Sequence, residues 1–469
     1  MRNILLIGQL TDISGYGNAA RSYFLSLLEL EKQGLINLKI LNYPCENKVR
    51  ELSTGEQNGT EINAEVFNLI QEKNILPRLY MTNVLQNSFA KKDKLEDPLL
   101  IKMEKECCEF ISEGYDVVYF LLSNWLDPSI PEMPKFSYNE NYESKEVVVQ
   151  INDTMSANLW LFTQQANNVY PCFVWETDRC PDMIVEAWNE TKNIKKIISA
   201  CEWNRNTIIE DERLNFKSDV VPYVINTNKI YCAQTYDKLK TITEQSDFTF
   251  CSVSQWSHRK GFDILLKAFF MEFYNDDVTL ILKTYIDVDP NINKTQNQAF
   301  QSIISDIKNN IHHNGKNIDF KCKVAIISSF MNKKEINSIY KASNAYVTTS
   351  RGEGFGLPIA EFLQFERPVI VPDKGGHLDF CHPDGFFIKS SYEPCENMPR
   401  MPGLYSAEQN YVECSLRSAR EQMRECYEMH KNNSKKFADL SQASYNHFID
   451  YLSAENCANL MKKAIDIEE

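Results

Sequence analysis

Short apolar runs of four to seven residues alternate with amphipathic stretches along most of this chain, and that rhythm restricts the fold more than any other feature. Runs of Val, Ile, Leu and Phe suit strands buried on both faces, and parallel strands need a crossover between them, most simply a helix. Strands are therefore expected at 3–7, 38–41, 116–122, 146–151, 172–175, 196–200 and 219–224, and again at 248–253, 278–283, 322–327, 345–349 and 368–371. A polar stretch at 226–246 separates the two groups. The expected class is α/β, with two Rossmann-like doubly wound parallel sheets.

The expected units are an N-terminal domain, 1–228, a C-terminal domain, 229–445, and a terminal segment, 446–469. Residues 45–115, rich in Asn, Lys and Glu, break the rhythm and read as an insertion with helices of its own. Beyond about residue 405 the pattern is helical without strands. The chain ends in a helix at 446–465 that is expected to pack back on the N-terminal domain.

Charge and cysteine usage narrow the partners. With 50 Lys and Arg against 64 Asp and Glu, the 469 residues carry a net charge of −14, which excludes a general polyanion binder. The 14 cysteines form no C-x-x-C pair, so they read as reduced core residues of a cytoplasmic protein. The first apolar run is too short for a signal-peptide core, and no stretch approaches the roughly 20 apolar residues of a membrane span. Peripheral contact with the inner face of a membrane stays open.

The most informative segment is Ser350-Arg351-Gly352-Glu353-Gly354-Phe355-Gly356-Leu357-Pro358-Ile359-Ala360-Glu361, between a strand candidate and a helical run. Its glycines permit close approach of backbone to a ligand, and Pro358 suits a first helical turn. The new helix offers free N–H groups and the positive end of its dipole, where a pyrophosphate can sit. Glu353 and Glu361 can accept hydrogen bonds from two sets of hydroxyls, one on a sugar and one on a ribose. The string resembles the E-x7-E signature of retaining GT-B glycosyltransferases, most closely glycosyltransferase family 4 (group 1). That resemblance implies that Glu353 contacts the donor sugar, that Gly354, Phe355, Gly356 and Leu357 offer amides to sugar and phosphate, and that Glu361 holds the ribose.

A second string, Ser254-Gln255-Trp256-Ser257-His258-Arg259-Lys260-Gly261, follows the run 248–253. In a chain at −14 a diphosphate needs a local positive pair, and Arg259 with Lys260 is the best placed. They would stabilise charge on the departing nucleotide. The family commonly has Gly-Arg at this strand end, where Ser254-Gln255 stands here, so Arg259 is expected to take over the arginine's role beside Gln255. The loop is similar to a subgroup with W-x-x-R-K-G, which also resembles this chain at Trp175-Glu176-Thr177-Asp178-Arg179.

Many members place a histidine beside the reaction centre at the equivalent strand end; here stand Glu176 and Asp178. A carboxylate there would position the acceptor hydroxyl or stabilise positive charge on the sugar ring. The alternative is a buried Trp175 and an Asp178 that caps a helix. Gly15, Gly17 and Ala20 satisfy G-x-G-x-x-A, yet they start well after the strand and no acidic residue ends the second strand. The family's N-terminal Gly loop accounts for Gly15 and Gly17 better than a dinucleotide site. Phe330 and Met331 fall where the family contacts the base. Asp287-Val288-Asp289 reads as a polar loop, His377 as a turn or pocket residue, and Lys192, Lys195 and Lys196 as a solvated stripe or a lipid contact.

The resemblance implies a retaining glycosyltransferase of the hexosyltransferase type that needs neither a metal nor a cofactor. Its donor would be a nucleotide-sugar, UDP- or GDP-linked, and its acceptor a glycan, lipid-linked or protein hydroxyl. The expected catalytic set is Arg259, Lys260, Glu353, Glu176 and Asp178. Gly15, Gly17, Gln255, Phe330, Met331, Gly354 to Leu357 and Glu361 complete the donor site. A nucleotide-sugar epimerase, a silent nucleotide-sugar-binding module and an NAD-linked oxidoreductase are the competing readings.

Overall fold

The computed structural model describes residues 2–8, 10, 15–42, 64–73, 115–120, 135–136, 147–148, 167–191, 193–225, 237–285, 295–313, 315–329, 331–396 and 404–467. The strands of the first part are β1 (Arg2–Gly8), β2 (Ile36–Asn42), β3 (Tyr115–Phe120), β4 (Lys135–Phe136), β5 (Val147–Val148), β6 (Val169–Phe173), β7 (Ile197–Ser199) and β8 (Ser218–Val220). Six of them form one parallel sheet in the order β2-β1-β3-β6-β7-β8. β5 lies outside it: of the strand expected at 146–151, the described residues Val147 and Val148 pair antiparallel with β4. Within the stretch expected as an insertion, the described residues form the helix Ala64–Lys73.

The second part contains β9 (Phe248–Val253), β10 (Val278–Lys283), the short pair β11 (His312–His313) and β12 (Lys316–Asn317), β13 (Lys323–Ile327), β14 (Ala345–Val347), β15 (Val369–Pro372) and β16 (Phe386–Ile388). Its sheet is parallel throughout, ordered β13-β10-β9-β14-β15-β16. The doubly wound α/β architecture expected from the apolar rhythm is thus present twice.

Burial explains the rhythm. All six residues of β10 are buried, and β9 exposes only its last one in part. On one face of the second sheet Phe250 meets Phe269 and Phe273 of the helix Phe262–Phe273, with ring centroids 6.4 and 5.5 Å apart. Each such ring removed from water contributes about 1.5–3 kcal/mol. On the other side the apolar core continues into the first part of the chain, where Tyr223 meets Phe355 at 4.6 Å.

Two expectations about the C-terminal region need correction. A strand does occur beyond 405: β18 (Asn410–Cys414) pairs antiparallel with β17 (Ser390–Pro394). Neither has a long apolar run: the two strands pair only with each other, and β17 is largely exposed. The terminal helix expected at 446–465 is instead the end of one helix, Ser434–Tyr451, and a second, Ala454–Ala464. The break comes at Ser453, whose hydroxyl accepts the Asn456 N–H at 3.2 Å and starts a new helix.

That last helix packs against the helix Gly15–Lys32, and Arg2 donates from its guanidinium to the Ile465 carbonyl. Lys196 meets Asp219 at 2.8 Å and Asp466 at 2.6 Å, while Lys195 meets Asp466 at 3.0 Å. Two of the three lysines of the basic stripe, Lys195 and Lys196, are therefore engaged with the C-terminal segment. Among the described residues no helix is long and apolar enough to cross a membrane.

Candidate active site

In the second sheet β10 and β13 extend away from β9 on one side, while β14, β15 and β16 extend on the other. Strand order therefore reverses between β9 and β14. Parallel sheets of this kind hold ligands beyond the carboxyl ends of the strands at such a point. The loop after β9 carries Arg259 and Lys260, and the loop after β14 carries Glu353, so residues 93 and 94 positions apart in sequence become neighbours.

Backbone contacts knit these loops together. The Arg351 N–H donates to the Arg259 carbonyl at 2.6 Å, and Arg259 Nη1 donates to the Gly352 carbonyl at 2.6 Å. Gly261 has φ +64°, and a Cβ there would lie 2.0 Å from the Thr349 carbonyl oxygen, so only glycine fits this crossing.

Lys260 Nζ lies 2.5 Å from Glu353 Oε1, with both side chains 12 % exposed. Burial would push the Glu353 carboxyl up, but the charges of Lys260 and Arg259 and a direct hydrogen bond outweigh it and hold the carboxyl below its usual value. Burial, followed by repulsion from Arg259, draws the Lys260 ammonium down, and Glu353 offsets only part of this.

Arg259 Nε meets Glu176 Oε1 at 3.2 Å, and the Tyr405 hydroxyl donates to the same oxygen at 2.8 Å. Two cations from one sheet are thus answered by one carboxylate from each sheet. Asp178 departs from its expected place in this cluster. Its Oδ1 accepts the Asn410 N–H at 2.7 Å and its Oδ2 accepts Asn410 Nδ2 at 2.8 Å, so it clasps β18. Nor is it a helix cap: the helix Asp182–Glu190 starts after Pro181 without a side-chain cap. Thr177 adds a bond to Gln409 Oε1 at 2.9 Å, and Trp175 stands 5.0 Å from the Tyr405 ring.

The glycines of the 350–361 segment admit a neighbour the sequence did not indicate. A Cβ on Gly352 would lie 2.7 Å from the Glu176 carbonyl oxygen, and one on Gly354 would lie 2.7 Å from Val174 Cγ2 and 3.0 Å from the Trp175 carbonyl oxygen. The close approach is by the loop after β6, so the two halves of the chain press together at this site. The Cys201 thiol donates across the same boundary to the Gly354 carbonyl at 2.9 Å.

Phe355 has its ring buried between Tyr223 and Phe380, which leaves only its backbone for a ligand. Gly356, at φ +93°, opens the helix Leu357–Leu363, and Glu361 lies in it with Oε1 2.5 Å from Lys333 Nζ. Gln255 is partly exposed beyond β9, whereas Met331 is buried in the core and Phe330 lies outside the described residues. Gly15 and Gly17 occupy the first turn of the helix Gly15–Lys32, with Arg21 Nη1 donating back to the Leu10 carbonyl at 2.7 Å. His377 is fully buried, its Nε2 2.8 Å from the Pro372 carbonyl oxygen, and burial lowers its pKa. Asp287, Asp289 and Lys192 lie outside the described residues.

Three neighbours of the site escaped sequence reasoning. Arg351 is 3 % exposed and grips Asp263 with two bonds of 2.9 Å and Glu413 with two more, fastening β18 to the helix that follows Lys260. It was visible as a lone cation inside a glycine string, but its partners are remote in sequence. Tyr405 lies in a stretch read as helical, and Lys333 resembles any surface lysine at a helix start.

Residues 290–394 match the family model for glycosyl transferases group 1. The chain carries a glycosyltransferase domain. That matched span includes Glu353 and Glu361 and stops short of Arg259 and Lys260 on the N-terminal side. No curated protein sequence matches the chain. Among solved structures, a glycosyltransferase from Rickettsia africae superposes with a TM-score of 0.58 at 14 % identity, covering 99 % of this chain and 98 % of that one. A trehalose 6-phosphate synthase from Burkholderia multivorans gives 0.55 at 8 %, with 100 % of both chains covered. Sucrose-phosphate synthase from Thermosynechococcus elongatus gives 0.54 at 12 %, covering 99 % and 98 %. At these identities the likeness speaks for the fold, and the fold is two-domain GT-B.

Proposed function

We propose that this glycosyltransferase moves a sugar from a nucleotide-sugar, UDP- or GDP-linked, to an acceptor hydroxyl with retention of anomeric configuration and without a metal. The observation that carries this reading is the pair of ion pairs at the point of strand-order reversal, Lys260 with Glu353 and Arg259 with Glu176. Two cations held in a largely buried place are suited to a diphosphate in a chain otherwise strongly acidic.

On donor binding the phosphate oxygens replace the carboxylates as partners of Arg259 and Lys260. Glu353 is then released toward the sugar hydroxyls, Glu176 toward the acceptor side, and Glu361 takes the ribose. In the reaction the bond from the anomeric carbon to the phosphate oxygen breaks, and the acceptor oxygen bonds to the same face of that carbon. The departing phosphate receives the acceptor's proton, and the two cations stabilise the charge that grows on it. Their charge fills the place a divalent ion takes elsewhere, so transfer is expected to persist in EDTA. The resemblance to family 4 supports retention; a glycan, lipid-linked or protein hydroxyl suits the acceptor, in a cytoplasmic setting.

A thermal-shift panel of UDP-, GDP- and ADP-sugars tests the donor class. A ligand at 100 times its dissociation constant adds about 2.7 kcal/mol to the folded state. Lys260→Ala and Glu361→Ala should each weaken binding of whichever donor responds while both variants stay folded. Wild-type affinity in both variants would overturn the assignment, and isomerisation of the donor without transfer would replace it with an epimerase.

A further inference from the structure

The carboxylate of Glu361 is held at both oxygens. Lys333 Nζ lies 2.5 Å from Oε1, and the hydroxyl of Tyr340 donates to Oε2 at 3.4 Å. Tyr340 is fully buried and Glu361 is 16 % exposed, whereas Lys333 is 40 % exposed. Lys333 opens the helix Lys333–Ala342, fixed by a capping box in which Asn332 Oδ1 accepts the Glu335 N–H at 3.0 Å and Glu335 Oε2 accepts the Asn332 N–H at 2.8 Å. This helix follows β13, and Glu361 sits in the helix that follows β14, so the ion pair bridges two crossovers on the carboxyl-end side of the parallel sheet.

We infer that Lys333 is a positioning residue that sets ribose recognition by clamping Glu361 in one rotamer, so that the enzyme discriminates ribonucleotide from 2′-deoxyribonucleotide donors. The inference rests on the proposed role of Glu361 at the ribose. A carboxylate accepts about four hydrogen bonds. Tyr340 takes one of these on Oε2, and Lys333 faces Oε1 as an ion pair without a hydrogen bond of its own, so acceptor sites remain on both oxygens, and two acceptor sites on a fixed carboxylate match two vicinal hydroxyls. Freed of Lys333, Glu361 keeps only the longer Tyr340 contact at its other oxygen. The carboxylate then reorients at little cost and gains less from the second hydroxyl.

The test measures dissociation constants for UDP and 2′-deoxy-UDP, and for the GDP and ADP pairs, by calorimetry on the full chain. A hydrogen bond to a charged group is worth roughly tenfold in affinity, so the wild type should prefer the ribose form by about that factor. Lys333→Met should reduce the preference to about threefold or less, and Lys333→Arg, which keeps the charge, should retain it. Equal weakening of both nucleotides in Lys333→Met, with the preference intact, would overturn the inference, since Lys333 would then touch the nucleotide itself. Glu361→Gln separates the two layers. Loss of preference in Glu361→Gln but not in Lys333→Met refutes only the clamp, and an unchanged preference in Glu361→Gln refutes the ribose role and the clamp together. A melting temperature near wild type in Lys333→Met would show that its change of preference is not unfolding.

Discussion

Replacing Gly376 by alanine probes directly how tightly the two halves of the chain close over the site. A Cβ at this position would lie 2.1 Å from the Gly354 carbonyl oxygen and 2.6 Å from Cys201 Sγ, where ordinary contact begins at 3.4 Å. The shortfall at the carbonyl is roughly 1.3 Å, and a backbone oxygen has no rotamer by which to escape. Gly376 does not have a positive φ, so the penalty is steric. Overpacking of this kind costs about 1–3 kcal/mol. For a unit of 150–250 residues, 2 kcal/mol lowers the melting temperature by roughly 4–8 °C. The Gly376 N–H also donates to the Glu353 carbonyl at 3.0 Å, so pushing this turn away drags the loop that carries Glu353. A displacement near 1 Å at a reacting group costs about 100-fold in rate. Differential scanning fluorimetry and initial-rate assays with the donor found by the thermal-shift panel read both effects. Adding Cys201→Ala should restore part of the melting temperature, since it removes the sulfur but leaves the carbonyl clash. Gly376→Ala with wild-type stability and activity would refute the closed packing of these loops.

Three further outcomes follow from the same geometry. Lys260→Met strands a buried carboxylate and should cost about 3–5 kcal/mol. In the wild type the contribution of Glu353 is present above the ordinary glutamate value of 4.5 and lost as pH falls through its depressed folded value, so the gap between the two proteins in urea melts should narrow below about pH 4.5. Arg351→Ala should cost about 1.5–3 kcal/mol per lost charged contact. Burial pushes the Asp263 carboxyl up, but Arg351 outweighs it and holds the carboxyl below 3.8, so stability is present above that value and lost on acidification, a dependence the variant should lack in acid titrations followed by circular dichroism. Asp178→Ala should lower the melting temperature by loosening β18 yet leave the UDP or GDP dissociation constant within about twofold and the transfer rate within about tenfold; a loss of about 100-fold in rate in the folded variant would return Asp178 to the catalytic set.

Much of the fold was legible because its determinants are local. A strand covered on both faces shows as a continuous apolar run, and β9 and β10 were read at their observed limits, 248–253 and 278–283. The hairpin of β17 and β18 shows the converse: its strands pair with each other outside the parallel sheet, β17 is largely exposed, and neither shows an apolar run. Glu353 and the Arg259-Lys260 pair stood out as charges beside glycines at strand ends. Asp178 and Glu176 looked alike two residues apart, and only their partners distinguish a clasp on Asn410 from an ion pair with Arg259.

Composition and patterning determined by themselves that the chain forms two parallel α/β sheets, and that in a protein of net charge −14 any diphosphate must rest on a few placed cations. Tertiary structure alone decided which carboxylates hold those cations. Lys260 and Glu353 become a buried pair because β9 and β14 lie side by side, and Glu176 reaches Arg259 because the loop after β6 packs onto Gly352. Burial and periodicity act over a few residues and leave their mark in sequence. An ion pair forms wherever two distant loops are brought within about 4 Å, and nothing in the spacing of its residues along the chain records that distance.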